Sequence, residues 1–169
     1  MFKYHSLVLI LCLLGSTLTT ALAQDTNAIT TVIFVRHAEK ADDGTRNPPL
    51  NIYGQERAAR LAQLLHLTEL AGIYSTPFNR TQQTVKPLAA ALNLEVKEYP
   101  PLKLDALDQL VIDQKGKTIL IVGHSNTVPA MVNHLLGEEK LEQLSENEYD
   151  KIFMLQITDN QTQLLQLSF

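Results

Sequence analysis

Two histidines in this sequence stand in settings suited to handling a phosphate group. His37 is preceded by Arg36, whose guanidinium is a permanent positive charge with a planar set of donors that matches two phosphate oxygens. His124 directly follows Gly123, and Arg80 lies between the two histidines in the chain. A neutral imidazole can attack phosphorus, and arginines can neutralise the phosphoryl oxygens. These residue types predict an anion site, provided that the fold brings them together.

Both histidines follow short apolar runs that are typical of buried strands. Thr31–Val35 and Thr118–Val122 are rich in β-branched residues and contain no charge, as expected for central strands of a parallel sheet. Two further candidate strands are Ala71–Ser75 and Leu94–Lys97. The carboxyl ends of parallel strands meet at one edge of a sheet. His37 and His124 are therefore expected in the same crevice.

Helical patterns alternate with these strands. Apolar residues recur at helical spacing from Ala58 to Leu65, from Val85 to Leu92 and from Val128 to Leu135. Further elements are a helix at Leu104–Gln114 and a hairpin of Lys151–Ile157 with Thr162–Leu167. Asn51 is expected to cap the first helix, Thr76-Pro77 to begin the second, and Gly137 to end the third. The pattern predicts an α/β fold, a three-layer α/β/α sandwich with a mostly parallel central sheet and helices on both faces.

The first residues read as a targeting signal. Lys3 precedes the apolar run Leu7–Leu14, and Ala21-Leu22-Ala23 has the small-x-small pattern of a cleavage site. We therefore predict a signal peptide at 1–23, cleavage after Ala23 and a single domain at 24–169, placed in the periplasm or secreted. Retention of the segment as an anchor is the alternative, and cleavage would leave no membrane insertion.

Composition narrows the chemistry of the domain. Cys12, the single cysteine, lies inside the predicted signal, so the domain has no thiol nucleophile, disulfide or cysteine metal site. The formal net charge is −4, without a long run of either sign, which argues against nucleic-acid binding. The sequence indicates no cofactor and no metal.

Three segments together are similar to a known family. They are Val35–Lys40 (VRHAEK), Tyr74–Thr84 (YSTPFNRTQQT) and Val122–Thr127 (VGHSNT). In this order they resemble the histidine phosphatase superfamily, also called phosphoglycerate-mutase-like, from about Thr31 to the last strands. The resemblance implies that family's version of the fold and a phosphoryl-transfer activity.

The resemblance also implies roles for individual residues. His37 would be the nucleophile, which becomes a covalent phosphohistidine, and Arg36, Arg80 and a cationic His124 would gather the phosphoryl oxygens in place of a metal. Attack requires that one ring nitrogen of His37 keeps its proton, so a nearby backbone carbonyl should fix that tautomer, and Arg36 should depress the pKa of His37.

The sequence determines less clearly which residues bind the rest of the substrate and which residue protonates the leaving group. Ser125 and Asn126 are expected to bind substrate because a helix begins there. Longer family members supply a glutamate as proton donor after the arginine motif, and this sequence has no such segment. Asp105 is the tentative donor, although it fits a helix N-cap equally well. The other candidates are Asp108, Glu98 and Glu39.

The predicted function is therefore a phosphatase that hydrolyses phosphomonoesters or phosphoramidates, with a small-molecule or envelope phosphate ester as substrate. One alternative is a noncatalytic phosphate- or phospholigand-binding protein on the same scaffold. Another is a phosphoglycerate-mutase-type phosphotransferase, which is disfavoured because the chain lacks the long insertions of the mutases.

Overall fold

The computed structural model describes residues 28–101 and 103–169. The predicted signal peptide at 1–23 therefore lies outside the described residues. The elements in chain order are β1 (Thr30–Arg36), α1 (Ile52–Leu65), β2 (Leu70–Ser75), α2 (Asn79–Leu92), β3 (Val96–Glu98), α3 (Leu104–Asp113), β4 (Thr118–Gly123), α4 (Thr127–Leu136), β5 (Lys151–Ile157) and β6 (Thr162–Ser168).

All six strands form one sheet in the order β3-β2-β4-β1-β5-β6. The strands β1, β2, β3 and β4 pair in parallel, whereas β5 is antiparallel to both β1 and β6. The mostly parallel sheet predicted from the sequence is thus confirmed. The two strands that precede the histidines, β1 and β4, are neighbours at its centre.

Helices cover both faces of the sheet because successive residues of a strand point to opposite sides. Ile33 and Val35 of β1 pack in a core that also contains residues of α1 and α2. Val32 and Phe34 of the same strand pack in a second core with residues of α3 and α4. Each of these four β1 residues is almost completely buried. The three-layer arrangement is therefore confirmed.

The start of α1 is fixed against the segment that follows β1. Asn51 caps the helix as predicted, and its Oδ1 accepts a hydrogen bond of 2.9 Å from the backbone N–H of Gly54. A Cβ atom at Gly54 would overlap the carbonyl oxygen of Glu39. A glycine here therefore allows the helix to touch the backbone of the Glu39 loop directly.

The start of α2 differs from the prediction. The helix begins at Asn79 after an N-cap at Phe78 that makes no side-chain hydrogen bond, so Thr76-Pro77 do not form its first turn. The Thr76 hydroxyl is instead engaged inside the protein. At the end of α4, Gly137 has a φ of 73° and ends the helix as predicted.

Within the described ranges, no helix combines the length and the apolar character that crossing a membrane requires.

Candidate active site

The pairing of β1 with β4 brings the two histidines together. Arg36 lies opposite Gly123 in the parallel register, and the backbone N–H of His37 donates to the Gly123 carbonyl over 2.9 Å. The rings of His37 and His124 are 5.4 Å apart between centroids, at an interplanar angle of 65°. The distance between the two imidazoles is therefore set by the spacing of two central strands.

A polar cavity of about 230 Å³ opens at this edge of the sheet. Its lining residues are Arg36, His37, Lys40, Arg80, His124, Ser125, Asn126 and Glu146. The structure thus gathers every predicted site residue except Asp105. The described part of the chain holds no cluster of three or more metal-binding side chains.

His37 is buried and has a defined tautomer. Its Nδ1 lies 2.8 Å from the carbonyl oxygen of Ala38. A carbonyl can only accept, so Nδ1 carries the proton and Nε2 carries the lone pair. Burial lowers the pKa of His37 to about 3, against the opposing effect of the Ala38 bond and with the help of charge on His124, Arg36 and Arg80. The neutral ring predicted for a nucleophile is present, and burial is its main cause.

Thr84 of α2 holds the backbone that follows the nucleophile. Its hydroxyl accepts a hydrogen bond of 2.8 Å from the backbone N–H of Ala38 and donates one of 2.7 Å to the carbonyl of Arg80. The same side chain thus connects the His37 loop to the first turn of α2, which carries Arg80. Thr84 is almost completely buried, so this connection is shielded from water.

Arg36 is held on one edge and open on the other. Three backbone carbonyls surround its Nη1, those of Ser145 at 2.6 Å, Glu148 at 3.1 Å and Glu146 at 3.3 Å. The guanidinium carbon also lies 4.1 Å from the centre of the Tyr149 ring. Nη2 is 3.5 Å from the exposed Glu146 carboxylate, and the buried Nε has no hydrogen-bond partner among the described residues. The Nε and Nη2 edge is therefore available to an anion.

His124 and Arg80 form the opposite wall. Arg80 Nη2 lies 3.5 Å from His124 Nδ1, and the Arg80 guanidinium is 4.5 Å from the centre of the Phe78 ring. Burial, and then the charges of Arg80 and Arg36, lower the pKa of His124 to about 4. His124 is therefore neutral in the free protein at neutral pH, and the cationic His124 expected around phosphoryl oxygens stays a prediction for the anion-bound site.

Asp105 is not brought to the cavity. It lies exposed in the first turn of α3, a helix that follows β3 at the far edge of the sheet, whereas the cavity lies at the ends of the central strands. It is not the N-cap of α3 either, because that position is Lys103. Its role as proton donor stays a prediction that its position does not support.

The other acidic candidates have partners elsewhere. Asp108 pairs with His134 at 2.8 Å, and Glu98 accepts from Gln82 at 3.2 Å. Glu39 pairs with Arg57 at 2.7 Å. Burial by itself would raise the pKa of Glu39, but the hydrogen bonds and charge of Arg57 outweigh it and hold that pKa below its usual value. Glu39 is consequently a poor proton donor.

The sequence reasoning missed Glu146 and Tyr149, both from the segment between α4 and β5. This segment carries no motif. Its place follows from topology, because β5 is antiparallel to β1 and so begins at the edge where β1 ends. Predicting from the sequence that β5 pairs antiparallel with β1 would have placed these two residues at the site.

The lowered histidine pKa values predict how stability depends on pH. Below the ordinary histidine pKa of 6.5 the unfolded chain protonates His37 and His124, while the folded chain keeps them neutral down to about 3 and 4. The unfolded state then binds more protons, so we expect the free energy of unfolding to fall as the pH decreases from 6.5 towards 4. Urea denaturation at several pH values measures this slope. His37→Asn and His124→Asn should flatten it, whereas His66→Asn, at an exposed histidine, should not; equal slopes in all variants would contradict the assignment.

Comparison with known proteins agrees with the fold and the motifs. Residues 32–103 match the family model of the histidine phosphatase superfamily (branch 1). Over 81 residues the chain is 40% identical to phosphoserine phosphatase 1 of Hydrogenobacter thermophilus. The aligned region covers 44% of this chain and 38% of the relative. The chain thus spans well under half the length of that relative.

Solved structures share the architecture over most of the chain. The mycobacterial glucosyl-3-phosphoglycerate phosphatase has a TM-score of 0.66 at 13% identity, covering 83% of this chain and 98% of that one. The protein histidine phosphatase SixA, solved with tungstate, has a TM-score of 0.67 at 21% identity, covering 82% and 96%. Phosphoserine phosphatase of Entamoeba histolytica has a TM-score of 0.66 at 16% identity, covering 80% and 94%. The motifs, the matched segment and the fold all support the resemblance of this chain to the histidine phosphatase superfamily.

Proposed function

We propose that the protein is a phosphatase that hydrolyses phosphate monoesters or phosphoramidates through a covalent phosphohistidine on His37, without a metal. The observation that carries this proposal is the state of His37. Its Nδ1 proton is held by the Ala38 carbonyl, and its Nε2 lone pair lies in a cavity lined by two arginines. A neutral nucleophile beside fixed positive charge is what phosphoryl transfer to histidine requires.

The reaction has two steps that share the same anion site. The phosphoryl oxygens bind to the Nε and Nη2 edge of Arg36 and to Arg80, while Nε2 of His37 attacks phosphorus. The N–P bond forms as the bond from phosphorus to the leaving group breaks, and the leaving group takes a proton. Water then attacks the phosphohistidine, inorganic phosphate leaves, and His37 returns to its neutral form.

Charge in the cavity supports a reaction without a metal. Arg36 and Arg80 supply two permanent positive charges, and Lys40 adds a third at the lining. Glu146 is the one carboxylate among the described lining residues. The surplus of positive charge can neutralise a phosphate dianion, a task that a metal ion performs in many other phosphoryl-transfer enzymes.

The substrate proposed is a small-molecule or envelope phosphate ester that meets the protein outside the cytoplasm. The proposal of a periplasmic or secreted enzyme rests on the sequence pattern at 1–23. A cavity of about 230 Å³ has room for the phosphoryl group and leaves the remainder of the ester outside it, and Lys40, Ser125 and Asn126 of the lining can contact that remainder. The named relatives act on different phosphate compounds, so they do not single out one substrate.

Covalent labelling tests the proposal. Incubation with a ³²P-labelled phosphate ester in the presence of EDTA, followed by rapid denaturation, is expected to leave label on the protein that is stable in base and lost in acid, as a phosphohistidine is. His37→Ala should abolish the label, because no other nucleophile takes its place. His66→Ala is a matched control at an exposed histidine, the C-cap of α1, and should label normally.

Each other result contradicts a defined part of the proposal. Saturable binding without label or turnover would identify a phospholigand-binding protein. Transfer of the labelled phosphoryl group to a second substrate molecule that carries a free hydroxyl, rather than to water, would identify a phosphotransferase. Loss of labelling in EDTA that added metal restores would overturn the metal-free mechanism.

A further inference from the structure

A buried chain of hydroxyl groups leads from His124 into the protein. Thr76 and Thr81 are completely buried. Thr76 Oγ1 lies 3.0 Å from His124 Nε2 and 2.9 Å from Thr81 Oγ1. Thr81 Oγ1 in turn lies 2.9 Å from the backbone carbonyl oxygens of Thr76 and of Phe78.

The chemistry of these groups gives the chain one direction. The carbonyls at its end can only accept, so the Thr81 hydroxyl donates its single proton to one of them. Thr76 must then donate to Thr81 Oγ1, and it accepts from His124. This places a proton on His124 Nε2.

The opposite side of the imidazole requires the same tautomer. Arg80 Nη2 is 3.5 Å from His124 Nδ1, and a guanidinium can only donate. Nδ1 therefore carries the lone pair, on the side of the ring that faces a cavity-lining arginine. Two independent contacts thus assign one tautomer to His124.

We infer that Thr76, backed by Thr81, is a positioning residue that fixes His124 as its Nε2–H tautomer, so that Nδ1 takes up a proton when a phosphate ester binds and gives it to the leaving group. The inference rests on the proposed function for its last step. It supplies a proton donor to a cavity in which Asp105 has no place.

Proton uptake follows from what surrounds the lone pair. In the free protein Arg80 of α2 and Arg36 at the end of β1 disfavour a cationic ring, as does burial, and these are the causes of the low pKa of His124. A bound dianion reverses the sign of the local charge, and a lone pair facing phosphoryl oxygens would repel them. The remaining titratable groups at the lining are His37, Lys40 and Glu146. Of these, Glu146 alone carries negative charge, and it lies 3.5 Å from Arg36.

The atoms balance through the two steps. His124 gains a proton from solvent as the dianion binds. When the ester bond breaks, Nδ1–H protonates the departing oxygen and the neutral alcohol leaves. In the second step the neutral Nδ1 accepts a proton from the attacking water, and the hydrogen phosphate dianion forms beside a cationic His124. As the phosphate leaves, His124 returns that proton to solvent, which restores the neutral ring of the free protein.

Proton counting with tungstate tests the inference without turnover. Tungstate is a dianion at neutral pH, and titration calorimetry in buffers of different ionisation enthalpy gives the protons taken up per anion bound. The titration is done in a His37→Asn background, so that His124 is the one imidazole of the described lining. We expect about one proton per tungstate. Thr76→Val in this background should lower the count towards zero, because an unconstrained His124 can present Nδ1–H directly; Thr76→Ser should restore it.

A second measurement needs no substitution in the buried chain of hydroxyl groups. Nitrogen-15 spectra of histidine-labelled protein report which ring nitrogen is protonated, and we expect His124 to carry its proton on Nε2 in the free protein and on both nitrogens with tungstate. Thr30→Val removes a buried hydroxyl that accepts from Gly116 at 2.9 Å, far along β1 from the cavity, and should change neither measurement. A free protein protonated at Nδ1, or an unchanged proton count in Thr76→Val, would overturn the inference. Absence of covalent labelling would leave these two results unaffected and would reject the proposed function instead.

Discussion

His37→Asn is expected to lower kcat by about 10⁴-fold or more, because it removes the atom that forms the covalent intermediate. The amide of asparagine is close in size to part of the imidazole, so Arg36, Arg80 and His124 keep their places around the anion site. Tungstate or phosphate binding should therefore persist in the variant. Steady-state kinetics with an aryl phosphate, together with calorimetric anion binding, measures the two effects separately.

The matched control is His66→Asn on the C-terminal side of α1. Its ring is exposed and its Nδ1 contacts only the Gln63 carbonyl at 2.6 Å, so activity should equal that of the wild type. The melting temperature of His37→Asn should also stay close to the wild-type value at pH 7. A variant that retains more than about a hundredth of the activity would show that His37 is not the nucleophile.

Arg36→Lys is expected to lower kcat/KM by about 10²- to 10³-fold, although the positive charge is retained. The arginine uses one edge of its guanidinium for three carbonyls of 145–148 and offers the other edge, Nε and Nη2, to the anion. A lysine ammonium is a single point and cannot serve both. Either the carbonyls of segment 145–148 lose their hydrogen-bond donor, or the phosphoryl group loses its donors from Arg36.

Thermal unfolding separates those two losses. Loss of the partly buried hydrogen bonds from Arg36 to the carbonyls of segment 145–148 should cost about 1–3 kcal/mol, which lowers the melting temperature by roughly 2–4 °C for each kcal/mol in a domain of this size. Arg60→Lys, at an exposed position on α1, is the control and should change neither kinetics nor melting. If Arg36→Lys has wild-type kcat/KM, the bidentate role of Arg36 is refuted.

The central part of the fold and of the site could be read from the sequence because local signals determine it. Thr31–Val35 and Thr118–Val122 have no polar interruption, and strands buried on both faces tolerate none. Once those two runs are taken as neighbouring parallel strands, His37 and His124 must meet at one edge. Arg80 follows as the second residue of a helix that starts beside the same edge.

The remaining features depend on contacts between distant parts of the chain. Glu146 and Tyr149 reach the site only because β5 pairs antiparallel with β1, and no local pattern near them announces that pairing. The same holds for Thr76, which looks like a helix cap in sequence but finds a stronger partner in the His124 ring 48 residues away. Asp105 lies away from the cavity for a related reason, since the short strand before its helix is at the sheet edge.

The pairing of Arg36 with Gly123 has a consequence for how the site behaves when the protein opens locally. Central parallel strands are among the last parts of a domain to separate, whereas exposed connections such as 42–47 open first. Asn47 of this connection hydrogen-bonds to Asn79, the residue before Arg80, so its brief openings disturb the start of α2 while the two imidazoles keep their separation. Phosphoryl transfer to His37 should consequently persist after discrimination among phosphate donors is lost. This should hold both under mild denaturing conditions and in variants whose surface loops have changed.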